Sequence, residues 1–220
     1  MLVSPSVMSC DLGKLADELE KCERGGADSI HVDVMDGHFV PNFALGVESV
    51  RAIKRYTSLP LEIHLMVERP DIYWKPFMEA GGSRFLIHFE SQADILGTIR
   101  KIREAGCEPG LAVNPETRFS TVSGMMHELD YLLIMTIHPG FSSQKFMDEV
   151  VPKIRESSAF VAANRLDTVI EIDGGVNLET GLVCAEAGAG ALASASYVFR
   201  GDTVENIRKL KNLKQRIKPA

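Results

Sequence analysis

The chain has 220 residues, 45% of them hydrophobic and 25% charged, with a formal net charge of −6. This is ordinary globular composition on a chain long enough to bury a large core. The acidic balance disfavours nucleic acid and anionic membrane as main partners, because both reward basic surfaces. No stretch approaches the roughly 20 apolar residues of a membrane span, and no charged segment followed by an apolar run marks a signal peptide. The four cysteines (Cys10, Cys22, Cys107 and Cys184) lack CxxC spacing and are too sparse for a disulfide scaffold. A soluble cytoplasmic protein with reduced thiols is expected.

Strand-like and helix-like segments alternate from end to end. Residues 2–6 read as a strand, and Asp11 caps a helix through about residue 24, with Leu12, Leu15, Leu19 and Cys22 on one stripe. A strand over 29–34 precedes a helix over 47–56; a strand over 60–66 precedes a helix over 69–80, with Pro70 in its first turn. The fourth pair is 84–88 and 93–105, closed by Gly106. A fifth strand, 108–113, leads to a weaker helix around 119–126, and 131–136 with 146–164 make the sixth pair. The seventh is 168–173 with 178–187; the eighth is 190–196 with 204–217, whose Val204, Ile207, Leu210, Leu213 and Ile217 face inward. Eight βα units without a linker or composition break predict a single (β/α)8 TIM barrel over residues 1–220. An open doubly wound sheet would need fewer units and usually a Gly-rich turn after its first strand. Ser6-Val7-Met8-Ser9-Cys10 is no such turn.

Three strand ends carry the chemistry: His31-Val32-Asp33-Val34-Met35-Asp36-Gly37, His64-Leu65-Met66 and Glu171-Ile172-Asp173-Gly174-Gly175. Alternation puts His31 and Asp33 on one face of their strand and Ile30, Val32 and Val34 on the other. The same rule turns His64 with Glu62, and Asp173 with Glu171, away from their apolar neighbours. In a barrel such residues converge on the C-terminal mouth. Two imidazoles and two carboxylates there suit Zn²⁺, Mn²⁺, Fe²⁺ or Co²⁺, whereas Mg²⁺ and Ca²⁺ favour all-oxygen shells. A metal beside two aspartates points to proton transfer next to a carbonyl, one Asp removing the proton and the other returning one from the opposite face. Glu62 and Glu171, one inward position below His64 and Asp173, are candidates to brace the ligands. No role is read for His38, His88 or His127. The small-residue loops Pro139-Gly140-Phe141-Ser142-Ser143, Asp173-Gly174-Gly175-Val176 and Ala195-Ser196, in consecutive late units, suit a phosphate held by backbone N–H groups.

At these residues the chain closely resembles the ribulose-phosphate 3-epimerase family, which includes allulose-6-phosphate 3-epimerases. Along nearly the whole chain the match runs through Ser4-Pro5-Ser6, His31 to Asn42, His64-Leu65-Met66-Val67, Asn114-Pro115-Glu116-Thr117, Met135-Thr136, Pro139-Gly140-Phe141, Gln144-Lys145-Phe146 and Glu171 to Val176. The family is a (β/α)8 barrel that inverts C3 of a ketose phosphate through an enediolate. The resemblance implies one divalent ion, zinc first and iron, manganese or cobalt as alternatives, bound by His31, Asp33, His64 and Asp173. It implies Asp33 as proton acceptor and Asp173 as donor, with roles exchanged in the reverse direction. Ser6 and His64 would contact the sugar, Met35, Met66 and Met135 would line the enediolate region, and Gly140, Phe141, Ser142, Ser143, Gly174, Gly175, Ala195 and Ser196 would hold the phosphate end. The expected substrate is D-ribulose 5-phosphate, with D-allulose 6-phosphate or a tetrulose phosphate as alternatives, and the expected assembly is a homodimer or hexamer. The chain departs from the family at Ser142-Ser143, Ala195 and His138, which leaves the reaction class untouched but bears on which sugar phosphate fits. An orotidine-phosphate-decarboxylase-like barrel would need Asp-x-Lys-x-x-Asp, and Asp33-x-Met35-Asp36 has no lysine. A catalytically silent sugar-phosphate sensor is disfavoured by the intact acids and ligands.

Overall fold

Strict alternation along short strands sorts the side chains into two sets, and the fold is what buries both. The computed structural model describes residues 1–141 and 144–216. Its strands are β1 (Leu2–Pro5), β2 (Ile30–Met35), β3 (Leu61–Met66), β4 (Gly82–His88), β5 (Glu108–Val113), β6 (Tyr131–Met135), β7 (Val169–Asp173) and β8 (Ala191–Ser194). All ladders are parallel, in the order β1-β8-β7-β6-β5-β4-β3-β2. Between β1 and β2 the ring is drawn together by a single parallel bridge, Ser6 with His31, and by the Asp28 N–H, which donates to Val3 O at 2.9 Å. The chain is the expected (β/α)8 barrel.

The outward set, including Val32, Ile63, Ile87, Leu111, Ile134, Ile172 and Leu192, joins helix residues such as Leu19, Ile53, Ile99, Ile154 and Ile207 in one apolar core. These come from α1 (Leu15–Gly25), α2 (Val47–Tyr56), α3 (Pro70–Glu79), α4 (Ile95–Glu104), α5 (Phe119–Val122), α6 (Val151–Asn164), α7 (Leu178–Glu186), α8 (Ser196–Phe199) and α9 (Thr203–Lys211). The inward set divides by chemistry. Leu86, Ala112, Tyr131, Leu133 and Met135 of β4 to β6 form a separate apolar cluster. Beside them, Ser4, His31, Asp33, Glu62, His64, Arg84, His88 and Glu171 are buried polar groups. A barrel interior is a packed core, and here half of that core is ionisable.

Several boundaries differ from expectation. Asp11 does cap, accepting from the Gly13 N–H at 3.0 Å, but it caps a single 3-10 turn, Leu12–Lys14, ahead of α1. The tighter turn breaks the helical stripe, so Leu12 is exposed. The weak fifth helix is one α turn followed by a 3-10 segment, Ser123–Glu128. The sixth starts with a 3-10 turn, Asp148–Val150, and becomes α-helical at Val151, next to Pro152. The eighth strand ends at Ser194, and the chain makes the short α8 before α9. Ile217 lies outside the described residues. Among the described residues no helix is long and apolar enough to cross a membrane.

Candidate active site

β2, β3 and β7 deliver four side chains to one point. One ligand atom from each of His31, Asp33, His64 and Asp173 lies within 4.8 Å of all the others. The facing atoms are identifiable: His31 Nε2 and His64 Nδ1 are 3.3 Å apart, and Asp33 Oδ1 is 3.3 Å from the first and 3.2 Å from the second. Asp173 Oδ2 closes the group at 3.9 and 3.7 Å from the same two nitrogens. Two ring nitrogens and two carboxylate oxygens turned toward each other in a buried space are a donor set for a borderline divalent cation. β2 and β7 stand three places apart around the ring, with β1 and β8 between them. The two aspartates therefore approach the mouth from different sides.

The ring orientations are set from behind. His31 Nδ1–H donates to Glu62 Oε1 at 2.6 Å, which leaves Nε2 free to face the group. Glu62 is itself held by Arg84 Nη1 on Oε2 at 2.7 Å and by Ser4 Oγ at 3.2 Å. The bracing role expected of Glu62 is thus present in the geometry. Glu171 is different. Both of its carboxyl oxygens are buried with no hydrogen-bond partner among the described residues, although one lies within 4.8 Å of Glu62 and His31. It braces nothing.

Burial alone would depress the His31 imidazole, yet Asp33 and Glu62 hold it well above its ordinary value. Burial and the neighbouring His88 and His31 push His64 down to about 4. Burial opposes ionisation of Asp33, but His31 and His64 hold its carboxyl far below the usual range. Asp173 goes the other way, pushed up to about 7 by burial and by the negative charges of Asp33 and Glu62. Paired acids whose environments separate them are how one site holds a base and an acid together. Burial, then repulsion from Glu62, raises Glu171 well above 4.5. A folded acid with a raised value keeps its proton where the unfolded chain releases it, so the contribution of Glu171 to stability falls as pH rises above about 4.5. Glu171→Gln removes that term. The stability difference between Glu171→Gln and wild type, measured by denaturant unfolding, should move in the variant's favour between pH 5 and pH 8; a pH-independent difference would refute a neutral buried Glu171.

Above the four residues opens a cleft. It is lined by Ser6, Asp33, Met35, Met66, Met135, Gly140, Phe141, Asp173, Gly174, Gly175, Ala195 and Ser196, the described residues expected there, while His31 and His64 lie beneath it. Ser142 and Ser143 lie outside the described residues. Ser6 Oγ donates to Asp33 Oδ2 at 2.6 Å, so its first partner is the aspartate. Pro139 and Val176, members of the two quoted loops, also line the cleft, as do Met8, Ile137 and Ala193, isolated apolar residues that carry no signal in the sequence. Gly174 needs its φ of +118°, and a Cβ there would come within 2.9 Å of the Ile137 backbone nitrogen. The remaining motif residues join loops: Asp36 accepts from the N–H groups of His38, Phe39 and Glu68, and Asn42 Nδ2 donates to Gly140 O at 2.7 Å. His138 is exposed and 3.4 Å from Glu116.

The family model for the ribulose-phosphate 3 epimerase family matches residues 2–199. The chain belongs to the ribulose-phosphate 3-epimerase family. A ribulose-phosphate 3-epimerase of Bacillus subtilis (strain 168) is 43% identical over 198 residues, covering 90% of this chain and 91% of its own. One from Methanocaldococcus jannaschii is 38% identical over 213 residues, covering 97% and 89%. Among solved structures, 3-hexulose-6-phosphate synthase from Salmonella typhimurium superposes with a TM-score of 0.67 at 15% identity, over 98% of this chain and 99% of that one. N-(5'-phosphoribosyl)anthranilate isomerase from Pyrococcus furiosus gives 0.64 at 16% identity, over 99% and 100%. At such identities the structural matches show the barrel and nothing more. Family membership makes this epimerase an isomerase.

Proposed function

We propose that the chain is a divalent-metal-dependent 3-epimerase interconverting D-ribulose 5-phosphate and D-xylulose 5-phosphate by two-aspartate proton transfer. The observation that carries this reading is that Asp33 and Asp173 line one cleft from different sides of the barrel mouth, with His31 and His64 beneath them. Asp33, as the carboxylate, takes the proton from C3; the C–H electron pair moves into the C2–C3 bond and the C2 carbonyl π pair onto its oxygen, giving an enediolate. Asp173, as the acid, returns a proton to the other face of C3, and the configuration inverts. A cation held by His31, Asp33, His64 and Asp173, zinc first and iron, manganese or cobalt as alternatives, would polarise the C2 carbonyl and offset the charge of the enediolate. The Ser6 hydroxyl donates to Asp33 Oδ2, the oxygen not turned toward the two ring nitrogens, and so fixes the rotation of the carboxylate beneath the cleft. Met35, Met66 and Met135 give a polarizable wall that has no proton to donate to the enediolate. The phosphate sits at the rim formed by Gly140, Phe141, Gly174, Gly175, Ala195 and Ser196.

After metal is stripped with a chelator, turnover should vanish and return with added Zn²⁺, Fe²⁺, Mn²⁺ or Co²⁺. In D₂O, the loaded enzyme should wash deuterium into C3. Full turnover in verified metal-free protein ends the metal reading. Across a panel of ketose phosphates kcat/KM should be highest for ribulose 5-phosphate; a preference for allulose 6-phosphate or a tetrulose phosphate replaces the substrate and leaves the chemistry standing.

A further inference from the structure

His88 sits at the last position of β4, fully buried, and its Nε2 is 2.9 Å from Nε2 of His64. Two imidazole nitrogens at that distance share one proton, so one ring must donate and the other accept. Glu90 decides which. Its Oε2 is 3.2 Å from His88 Nδ1. Its Oε1 accepts from the Asn114 backbone N–H at 2.8 Å and from the Thr117 hydroxyl. A carboxylate engaged in this way is only an acceptor. His88 Nδ1 therefore carries the proton, His88 Nε2 offers a lone pair, and His64 must donate through Nε2–H. That leaves His64 Nδ1 with its lone pair toward Asp33, Asp173 and His31.

We propose that His88 and Glu90 are positioning residues which fix the tautomer and ring angle of His64, so that Nδ1 is presented to the cation. The inference rests on the metal-binding reading above and adds two residues to it. The rest of the surroundings are built to the same end. The His64 and His88 rings stack at 5.0 Å with 24° between their planes, and Phe39 covers His88 at 4.7 Å. The loop that holds Glu90 is itself tied down by Lys153 Nζ, which donates to the carbonyls of Asn114 and Pro115 at 2.8 and 2.9 Å. This gives the Asn114-Pro115-Glu116-Thr117 segment a purpose: it carries the donors that keep Glu90 in place. His31 has the parallel arrangement through Glu62 and Arg84, so each imidazole of the pair is oriented by its own acid.

The test measures Co²⁺ affinity by chelator competition, which needs no substrate. His88→Phe keeps the ring volume but removes the acceptor, and it should weaken Co²⁺ binding by about ten- to a hundredfold. His88→Gln, whose amide oxygen can accept from His64 Nε2–H, should recover most of that loss. In the zinc-loaded wild type, ¹⁵N NMR should show His64 protonated at Nε2, with that proton coupled across a hydrogen bond to His88 Nε2. Unchanged Co²⁺ affinity in a folded His88→Phe overturns the proposal, as does equal loss in His88→Phe and His88→Gln. The NMR signature is read on wild type, so it decides the matter even if His88→Phe does not fold; a His64 proton at Nδ1 overturns it. If wild type binds Co²⁺ in this His88-dependent way yet fails to epimerise ribulose 5-phosphate, the substrate reading fails and the positioning role stands.

Discussion

Asp173→Asn should lower epimerisation of ribulose 5-phosphate by about 10²–10⁴-fold, the range for losing a positioned acid or base, while the far-UV circular dichroism stays that of wild type. The more informative expectation concerns half-reactions. With Asp173 silenced, Asp33 can still remove the C3 hydrogen of ribulose 5-phosphate and return one to the same face. Deuterium should therefore enter ribulose 5-phosphate without xylulose 5-phosphate appearing. Asp33→Asn should do the converse, exchanging C3 of xylulose 5-phosphate without inversion. Three ligands remain in either variant, the number found in many catalytic zinc sites, so proton transfer and metal loss can be separated by measuring bound metal. Near-wild-type formation of the opposite epimer by either variant, or exchange of the same epimer by both, would defeat the assignment of one aspartate to each face.

Arg84→Met should be among the most destabilising single changes available outside the cleft. Arg84 is buried, its Nη1 2.7 Å from Glu62 and its Nε 2.7 Å from Glu108, with the guanidinium 3.6 Å over the Tyr131 ring. Burial opposes its charge, but Glu62 holds its pKa above the ordinary arginine value. Losing the guanidinium leaves Glu62 buried at 0% exposure with only His31 and Ser4 as partners. Removing one partner of a buried pair costs about 3–5 kcal/mol. In a domain of this size that lowers Tm by on the order of 10 °C. Glu108 is half exposed and adds little. A melting temperature within about 2 °C of wild type would mean that the pair contributes almost nothing net.

The barrel and the four converging side chains were legible because each signal was local. An ionisable residue at the end of a β-branched run, on the inward beat of the alternation, is rare enough to mark β2, β3 and β7 directly. The difference between Glu62 and Glu171 was not legible. Both stand one inward step below a candidate ligand, and in the sequence they are equivalent. Across the ladders Glu62 is flanked by His31 and Arg84, whereas Glu171 is flanked by Leu133 and Ala191. Register between distant segments gives one acid its donors and the other none. His88 was missed although a signal existed: Arg84, Leu86 and His88 follow the same inward beat, and His88 occupies the strand end. Its role needed Glu90 and the Asn114–Thr117 loop, which only the fold brings near. The exposure of Leu12 was hidden for a different reason, since a single tight turn shifts helical phase without altering composition.

The join between the first and second strands has a thermodynamic corollary. Where other neighbours share full ladders, this seam has one backbone bridge, at Ser6 and His31, and Asp33 stands just beyond it on one bank while Asp173 faces it from across the mouth. An ion or sugar held by side chains on either side of this seam binds the joined ring, so its binding adds to the stability of that join. Amide protons along that gap should accordingly report ligand concentration more steeply than those anywhere else in the sheet.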